Sequence, residues 1–151
     1  MVANFQLETE TAKMPTRHTD KSAGIDFYAD SATVIEPGGS AVVSTGISWH
    51  PKMIPIGSSV VLIIQSRSGL AFKRGVEASN AGVIDSDYFS TEEVKAIIKV
   101  KLYNNSREIF TVSRGDKICQ GVPHLVPNFL DVKTLDDDRA GKGFGSSDKK
   151  G

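Results

Sequence analysis

Short apolar runs, many of them alternating with polar residues, recur along the chain and are separated by turn-forming residues. The pattern predicts β-strands at residues 3–7, 25–29, 41–49, 58–65, 82–85, 94–103, 109–112, 117–122 and 129–134. Residues 68–74 alone have a helical pattern, and the runs at 41–49 and 58–65 are expected to pair across a Pro-bounded loop. Many short strands at this spacing indicate an all-β sandwich or barrel.

The length of 151 residues suits one domain with its own core. We expect an all-β domain over residues 1–135 and a tail over residues 136–151, which read "DDDRAGKGFGSSDKKG". The tail is rich in Gly, Ser and charged residues and has nothing to bury. By itself it is therefore expected to be flexible.

Charge and cysteine content exclude several classes of function. Eighteen basic residues balance eighteen acidic ones, so no overall field favours nucleic acid or a membrane surface. The longest apolar run, residues 60–64, is too short to span a bilayer. Cys119 is the only cysteine and the three histidines are scattered, which argues against a disulfide and a zinc site. Without a signal-peptide pattern, we expect a cytoplasmic, nuclear or viral-encoded intracellular protein that is not secreted.

Three segments carry more polar chemistry than a β-sandwich needs. An apolar strand leads through Arg67, Ser68 and Gly69 into the predicted helix, and guanidinium, hydroxyl and backbone N–H groups there suit a phosphate. Asp26 lies between apolar neighbours, and Gln120 lies on an otherwise apolar strand. Structural roles remain open for all of them: a helix cap with a surface Arg, a turn-capping Asp and a Gln that ties loops together.

The stretch "NAGVIDSDYFS" at residues 80–90 places two carboxylates and a tyrosine next to an apolar strand. If residues 82–85 form a strand, Asp85 and Asp87 point to one face, where one of them could act as general base for a water. Tyr88 offers an apolar face with a polar tip, which suits packing on a sugar or a base. A charged β-turn with a half-buried tyrosine explains the same residues without any ligand.

The tail holds a further set of groups suited to phosphate. Its glycines free the backbone to wrap a ligand, its Arg, Lys and Ser side chains are phosphate donors, and its single Phe is an aromatic plane. A disordered tail is the alternative. Taken together, the segments describe a pocket for a nucleoside polyphosphate with hydrolytic chemistry, over which the tail could close as a lid.

Five of these segments, "AGIDFYA", "RSGLA", "GVIDSDY", "GDKICQ" and "RAGKGFGSS", resemble in order the five motifs of the trimeric dUTP pyrophosphatases (dUTPases). The resemblance implies a jelly-roll-like distorted β-barrel, assembled as a homotrimer with active sites at the subunit interfaces. It implies Mg²⁺-dependent hydrolysis of dUTP to dUMP and pyrophosphate, which keeps uracil out of DNA and supplies dUMP.

The resemblance also implies roles for individual residues. Asp85 would activate water for attack on the α-phosphorus, and Tyr88 would pack on deoxyribose and exclude a 2′-hydroxyl. Uracil would be read by the backbone around Asn80, Val83 and Ile84. The phosphates would be bound by Arg67, Ser68, Gly69 and Gln120. In the tail, Arg139, which also counts as catalytic, would bind the γ-phosphate with Ser146 and Ser147, Gly145 would contact the substrate and Phe144 would stack on uracil. Asp26 would organise the phosphate–metal region indirectly.

The sequence departs from the family pattern in three places. After Tyr88, "FSTEEVKAII" adds roughly six residues before the next strand, which leaves Lys99 as a further substrate-side match. Either Ser79 or Asn80 could be the residue that contacts uracil. Asp148 follows the phosphate-binding serines of the tail, where a carboxylate is mildly unfavourable.

Two other functions remain open from the sequence. A dCTP deaminase of the same fold would need a glutamate as proton shuttle, and Glu77, Glu92 and Glu93 are poorly placed for that role. A dUTPase-derived regulatory protein that binds nucleotide is the second alternative. The extra loop at residues 89–96 would then be the place for a protein partner.

Overall fold

The computed structural model describes residues 4–52, 54–80 and 82–129. Within them, twelve strands and one short helix follow the chain. The elements are β1 (Phe5–Leu7), β2 (Thr16–Arg17), β3 (Ile25–Tyr28), β4 (Thr33–Ile35), β5 (Ser40–Ser44), β6 (Ile47–Trp49), β7 (Ser58–Gln65), α1 (Ser68–Arg74), β8 (Val76–Ala78), β9 (Val83–Ile84), β10 (Lys99–Asn104), β11 (Phe110–Val112) and β12 (Lys117–Pro127). The expectation of an all-β protein is confirmed.

All strand pairs in the described residues are antiparallel. The largest sheet has the order β2-β3-β12-β7-β9, and a second sheet has the order β5-β10-β8. Two further pairs join β1 to β6 and β4 to β11. Strand β12 is central to the largest sheet, because it pairs along almost its whole length with β7 and at its start with β3.

The core lies between these sheets. Where a strand faces the core on one side only, its buried and exposed residues alternate strictly. In β10, every second residue is buried, which places Val100, Leu102 and Asn104 inside. Asn104 is fully buried, and its amide donates to the carbonyls of Ile35 and Glu108 at 2.9 and 2.8 Å. A buried polar side chain that is satisfied in this way joins the β10–β11 turn to β4.

Several predicted boundaries agree with the structure, and others are wrong. Strand β7 and helix α1 coincide with the predicted 58–65 and 68–74. The run at 41–49 is two strands, since Gly46 interrupts it with a φ of +65° that favours glycine. Residues 94–98 are loop instead of strand. The predicted pairing of 41–49 with 58–65 is also wrong: β6 pairs with β1, and β7 with β12 and β9.

The strands that the sequence pattern missed are short. β2, β4 and β8 have two or three residues each, too few for an alternating pattern to stand out. Strand β12 instead continues to Pro127, five residues beyond its predicted end. The predicted strand at 129–134 lies outside the described residues apart from Phe129. In the part of the chain that the structure describes, no helix is long and apolar enough to cross a membrane.

Candidate active site

Asp26 forms the centre of a charged cluster where β3, β12 and the chain after β7 meet. In the sheet, Gln120 of β12 is paired with Asp26 of β3 on one side and with Gln65 of β7 on the other. Arg67 follows β7 by two residues, and its Nε donates to Asp26 Oδ1 at 3.0 Å. Lys117 Nζ, at the start of β12, donates to Asp26 Oδ2 at 2.7 Å. The sheet register therefore places one carboxylate between two cations.

The cluster has a net positive charge. Burial would raise the pKa of Asp26, but the hydrogen bond from Lys117 and the charge of Arg67 outweigh it and hold the pKa below its ordinary value. Asp26 is thus ionised at neutral pH, and one negative charge faces two positive ones. A cleft of about 310 Å³ adjoins Arg67 and Lys117 and has Leu70 and Phe110 in its walls. Arg67 and Lys117 are suited to an anion on this side of the molecule, and the carboxylate of Asp116, which also lines the cleft, offsets part of their charge.

Gln120 is held in place by a backbone contact and by a glycine. Its Nε2 donates to the carbonyl of Ser66 at 3.1 Å. A Cβ on Gly24 would lie 2.3 Å from Gln120 Oε1, so a larger residue there would displace the carboxamide. The Ser66 hydroxyl in turn accepts a hydrogen bond from the backbone N–H of Ala78 at 2.9 Å. The carboxamide is therefore fixed beside the chain segment that leads to Arg67.

Helix α1 begins directly after Arg67, which is its N-cap residue and makes no side-chain capping bond. The interpretation of Ser68 as the N-cap is therefore wrong, because Ser68 is the first helical residue. Ser68 and Gly69 are exposed in the first turn. A Cβ on Gly69 would meet no atom of the chain within 4 Å, so packing within the chain does not require glycine there. Glycine costs about 1 kcal/mol relative to alanine inside a helix, and close approach of a ligand is a reason to keep it.

The segment around Asp85 lies at the opposite edge of the large sheet. Strand β9 pairs with β7 through Ile84 opposite Leu62, and it ends at Ile84. The predicted strand over 82–85 is thus one residue too long at its end. Asp85 instead opens a turn that the N–H of Tyr88 closes by donating to the Asp85 carbonyl at 3.1 Å. Asp85 and Asp87 are therefore turn residues and do not lie on one face of a strand.

The remaining residues of this segment surround the turn. Tyr88 is half-buried, which raises the pKa of its hydroxyl, and that hydroxyl donates to the carbonyl of Ile97 at 3.3 Å. Val83 and Asn80 are exposed, while Ile84 packs against the core. Exposed backbone beside a half-buried aromatic ring is a surface on which a nucleoside could lie.

Within one chain, the Asp26 cluster and the Asp85 turn are far apart. The order β3-β12-β7-β9 puts three strand spacings, about 14 Å, between the strands that carry them. Measured along the direction of β7, Asp26 lies level with Gln65, whereas Asp85 directly follows Ile84, the residue opposite Leu62. This offset along the strand adds about 13 Å. The combined separation is roughly 19 Å. One chain therefore does not bring the carboxylate of Asp85 to Arg67 and Lys117 of the same chain.

The described residues contain no group of three or more His, Cys, Asp or Glu side chains able to hold a metal ion. Asp26 already shares its two oxygens between Arg67 and Lys117. A cation bound directly to Asp26 would meet the positive charge of both neighbours. The donor set fits a divalent cation carried mainly by a ligand's phosphates, with Asp26 contributing indirectly.

Of the other predicted site residues, the structure describes only Lys99. Lys99 is the first residue of β10, exposed and paired with Ser44. The tail residues Arg139, Phe144, Gly145, Ser146 and Ser147 lie outside the described residues. Sequence reasoning missed Lys117 and Gly24. Lys117 stands in the "GDKICQ" motif, but its contact with Asp26 depends on a register shift between Lys117 and Cys119.

Three comparisons place this chain among known proteins. Residues 10–148 match the dUTPase family. A deoxyuridine 5′-triphosphate nucleotidohydrolase from Debaryomyces hansenii is 37% identical over 149 residues, covering 95% of this chain and 85% of that protein. The structure of the dUTPase from Streptococcus mutans has a TM-score of 0.70 at 27% identity, covering 87% of this chain and all of that one.

A mutant dUTPase from phage phi11 of S. aureus, whose structure shows the coordination of a structural Mg(II) ion, has a TM-score of 0.66. It is 24% identical and covers 88% of this chain and 95% of that chain. At this identity the likeness shows the fold alone.

Proposed function

The chain belongs to the dUTPase family, and from that premise we propose that it hydrolyses dUTP to dUMP and pyrophosphate. The observation that carries the proposal is the pair of complementary half-sites. One half holds the cations Arg67 and Lys117, which suit a polyphosphate, and the other holds a carboxylate beside a tyrosine. Because dUTP is an intracellular nucleotide, we place the protein inside the cell.

In the Asp85 half-site, the carboxylate serves as general base. It takes a proton from a water that attacks the α-phosphorus, and positioning that water in line lowers the barrier. Uracil is read by backbone groups around Asn80, Val83 and Ile84, since the connection from β8 to the edge strand β9 offers donors and acceptors in a fixed pattern. Tyr88 lies against the deoxyribose and leaves no space for a 2′-hydroxyl.

In the Asp26 half-site, the side chains bind the phosphates. Arg67 is suited to this because its planar fork donates two parallel hydrogen bonds. Ser68 and Gly69 contribute a hydroxyl and a close approach of the backbone, and Gln120 contributes its fixed carboxamide. Lys117 adds a second positive charge to the cluster. Together these groups stabilise the negative charge that develops on the leaving pyrophosphate.

Mg²⁺ would be held mainly by the phosphates of the substrate and would supply charge neutralisation at the breaking bond. Asp26 contributes to this region indirectly, because both of its oxygens are shared with cations of the protein. Lys99, the exposed first residue of β10, is a further proposed contact to the substrate. Residues 136–151 act as the closing tail of the domain over 1–135, with Arg139, Ser146 and Ser147 on the γ-phosphate and Phe144 over uracil.

The separation of the two half-sites supports active sites shared between subunits, and the resemblance of the five motifs to those of the trimeric dUTPases is the reason to propose three subunits. One substrate has to contact both halves at once, yet in one chain they lie roughly 19 Å apart. A neighbouring subunit can present its Asp85 turn to the Asp26 cluster of the first, and a ring of three repeats this contact in each subunit. The jelly-roll-like barrel is the subunit shape that this assembly would use.

The proposed reaction is tested by incubating the pure protein with dUTP, UTP, dTTP and dCTP in Mg²⁺ while following pyrophosphate, monophosphate and ammonia. Pyrophosphate from dUTP alone is expected. Ammonia from dCTP would assign the chain to the deaminase alternative. Binding of dUTP without any product would leave the regulatory alternative and refute the proposed reaction.

Shared sites are tested by mixing two inactive variants, Asp85→Asn and Arg67→Gln, under conditions that exchange subunits. If each site takes Asp85 from one subunit and Arg67 from the next, about a quarter of the sites in a random equal mixture are intact. Activity should therefore return to about a quarter of the wild-type value. No recovery despite proven exchange would show that each site belongs to one chain.

A further inference from the structure

The segment that extends the family pattern, residues 89–98, is a loop anchored inside the fold; it is called the 89–98 loop below. Ala96 and Ile98 are fully buried. The hydroxyl of Thr45 donates to the Ile98 carbonyl at 2.8 Å, and the Ile98 N–H donates to the Ile47 carbonyl at 2.8 Å. The loop is thus fixed at its end to the segment that joins β5 to β6.

A second anchor is the carboxylate of Glu8, which directly follows β1. Its side chain is completely buried, and its Oε2 lies 2.8 Å from Lys95 Nζ of the loop. The hydroxyl of Ser48 donates to Oε1 at 2.5 Å. Ser90, also in the loop, contributes a further hydrogen bond to Glu8 and accepts one from the N–H of Ala96 at 2.9 Å. One buried carboxylate therefore joins both halves of the loop to β1 and β6.

Glu8 is charged in this setting. Burial would raise its pKa, but Lys95, Ser48 and Ser90 outweigh burial and hold the pKa below its ordinary value. A buried anion requires a compensating cation. Among the described residues, Lys95 is the salt-bridge partner of Glu8, although the Lys95 side chain is 56% exposed. The ion pair therefore ties the loop to a buried group and is not merely a surface contact.

The anchored loop contacts Tyr88 directly. The Tyr88 hydroxyl donates to the carbonyl of Ile97, which lies between the two buried residues Ala96 and Ile98. The position of the ring thus depends on the loop, and the loop depends on Glu8. A displaced loop would leave Asp85 in its turn, since the bond that closes that turn joins Asp85 and Tyr88 backbone atoms. Ring position and base position are therefore separable.

We propose that Glu8 and Lys95 are positioning residues for substrate specificity, which hold the 89–98 loop and through it the Tyr88 ring against the sugar. This inference rests on the proposed function, in which Tyr88 excludes a 2′-hydroxyl. Loosening the loop widens the space beside the sugar. UTP then gains access while the chemistry on dUTP continues.

The test compares kcat/KM for dUTP with kcat/KM for UTP in wild type, Lys95→Met and Lys95→Arg. Lys95→Met is expected to lower the dUTP-to-UTP ratio about tenfold through a better UTP value, with kcat on dUTP changed less than about threefold. Lys95→Arg keeps the cation and should keep the wild-type ratio. The exposed Glu93 lies in the same loop, so Glu93→Gln is the matched control and should also keep it.

Amide hydrogen exchange over residues 86–98 supplies a readout of the anchor without turnover, and it should be faster in Lys95→Met. An unchanged ratio in folded Lys95→Met, in a wild type that does prefer dUTP, would overturn this inference alone. A wild type without preference for dUTP would overturn the proposed function as well. Equal losses on both substrates would show a purely structural role and would also contradict the inference.

Discussion

Replacing Asp26 by Asn removes the negative charge from the cluster that is proposed to bind the phosphates. Asp26 is only 14% exposed, and it accepts hydrogen bonds from Arg67 and Lys117, whose side chains are 29% and 35% exposed. A hydrogen bond to a charged group contributes about 1.5–3 kcal/mol, and partial exposure of both cations lowers that value. We therefore expect Asp26→Asn to lower the free energy of unfolding by about 2–3 kcal/mol.

The pH dependence gives this prediction a sign. The pKa of Asp26 is lower in the folded protein than its ordinary value, so its contribution is complete above the unfolded pKa of about 4. It is lost as the pH falls through the lowered folded pKa. Urea unfolding at fixed protein concentration should therefore show the full difference between wild type and Asp26→Asn at pH 7 and a shrinking difference below about pH 4.

Two further variants make the measurement specific. Asp20→Asn removes a carboxylate from an exposed position and should change the unfolding free energy by less than about 0.5 kcal/mol. Asp26→Asn combined with Lys117→Met removes one of the unpaired cations and should recover part of the loss. Equal stability of wild type and Asp26→Asn at pH 7, or a difference that persists unchanged in acid, would refute the reasoning.

Three predictions concern other parts of the molecule. Asn104→Ala leaves the buried Ile35 carbonyl without its donor and removes one of two donors from the Glu108 carbonyl, so it should cost about 2–3 kcal/mol in urea unfolding, whereas Asn105→Ala at an exposed position should cost much less. Gly24→Ala should displace the Gln120 carboxamide and raise KM for dUTP several-fold in steady-state kinetics, and an unchanged KM would contradict its proposed phosphate role. Deleting residues 139–151 should lower turnover of dUTP by more than about tenfold at an unchanged unfolding midpoint, and unaltered kinetics would exclude a closing tail.

Local sequence patterns predicted an element correctly where the strand is long or where a residue such as glycine marks the end of the element. Strand β7 has eight residues between turns, and α1 ends at Arg74 and is capped by Gly75, whose φ of +64° suits glycine. The three-residue β4 and β8 carry no such signal. Their pairing is set by β11 and β10, which are distant in sequence.

The sequence indicated part of the charged cluster but not the contacts that hold it together. Motifs identified Asp26, Arg67 and Gln120, and the sheet register explains why they meet. The contact of Lys117 with Asp26 spans 91 positions and follows a register shift that no local pattern encodes. The ion pair of Glu8 with Lys95 could not be predicted from the sequence either. A charged residue in a sequence indicates an exposed side chain until its partner is known.

In the proposed reaction, Asp85 activates the water that cleaves dUTP, and the same turn offers a matched control in Asp87. Single-turnover cleavage and dUTP binding should be measured for Asp85→Asn and Asp87→Asn side by side. We expect cleavage by Asp85→Asn to fall by about 10²–10⁴-fold with binding nearly unchanged, and Asp87→Asn to retain cleavage. Cleavage that survives in Asp85→Asn, or that is lost equally in both variants, would contradict the assignment of the base.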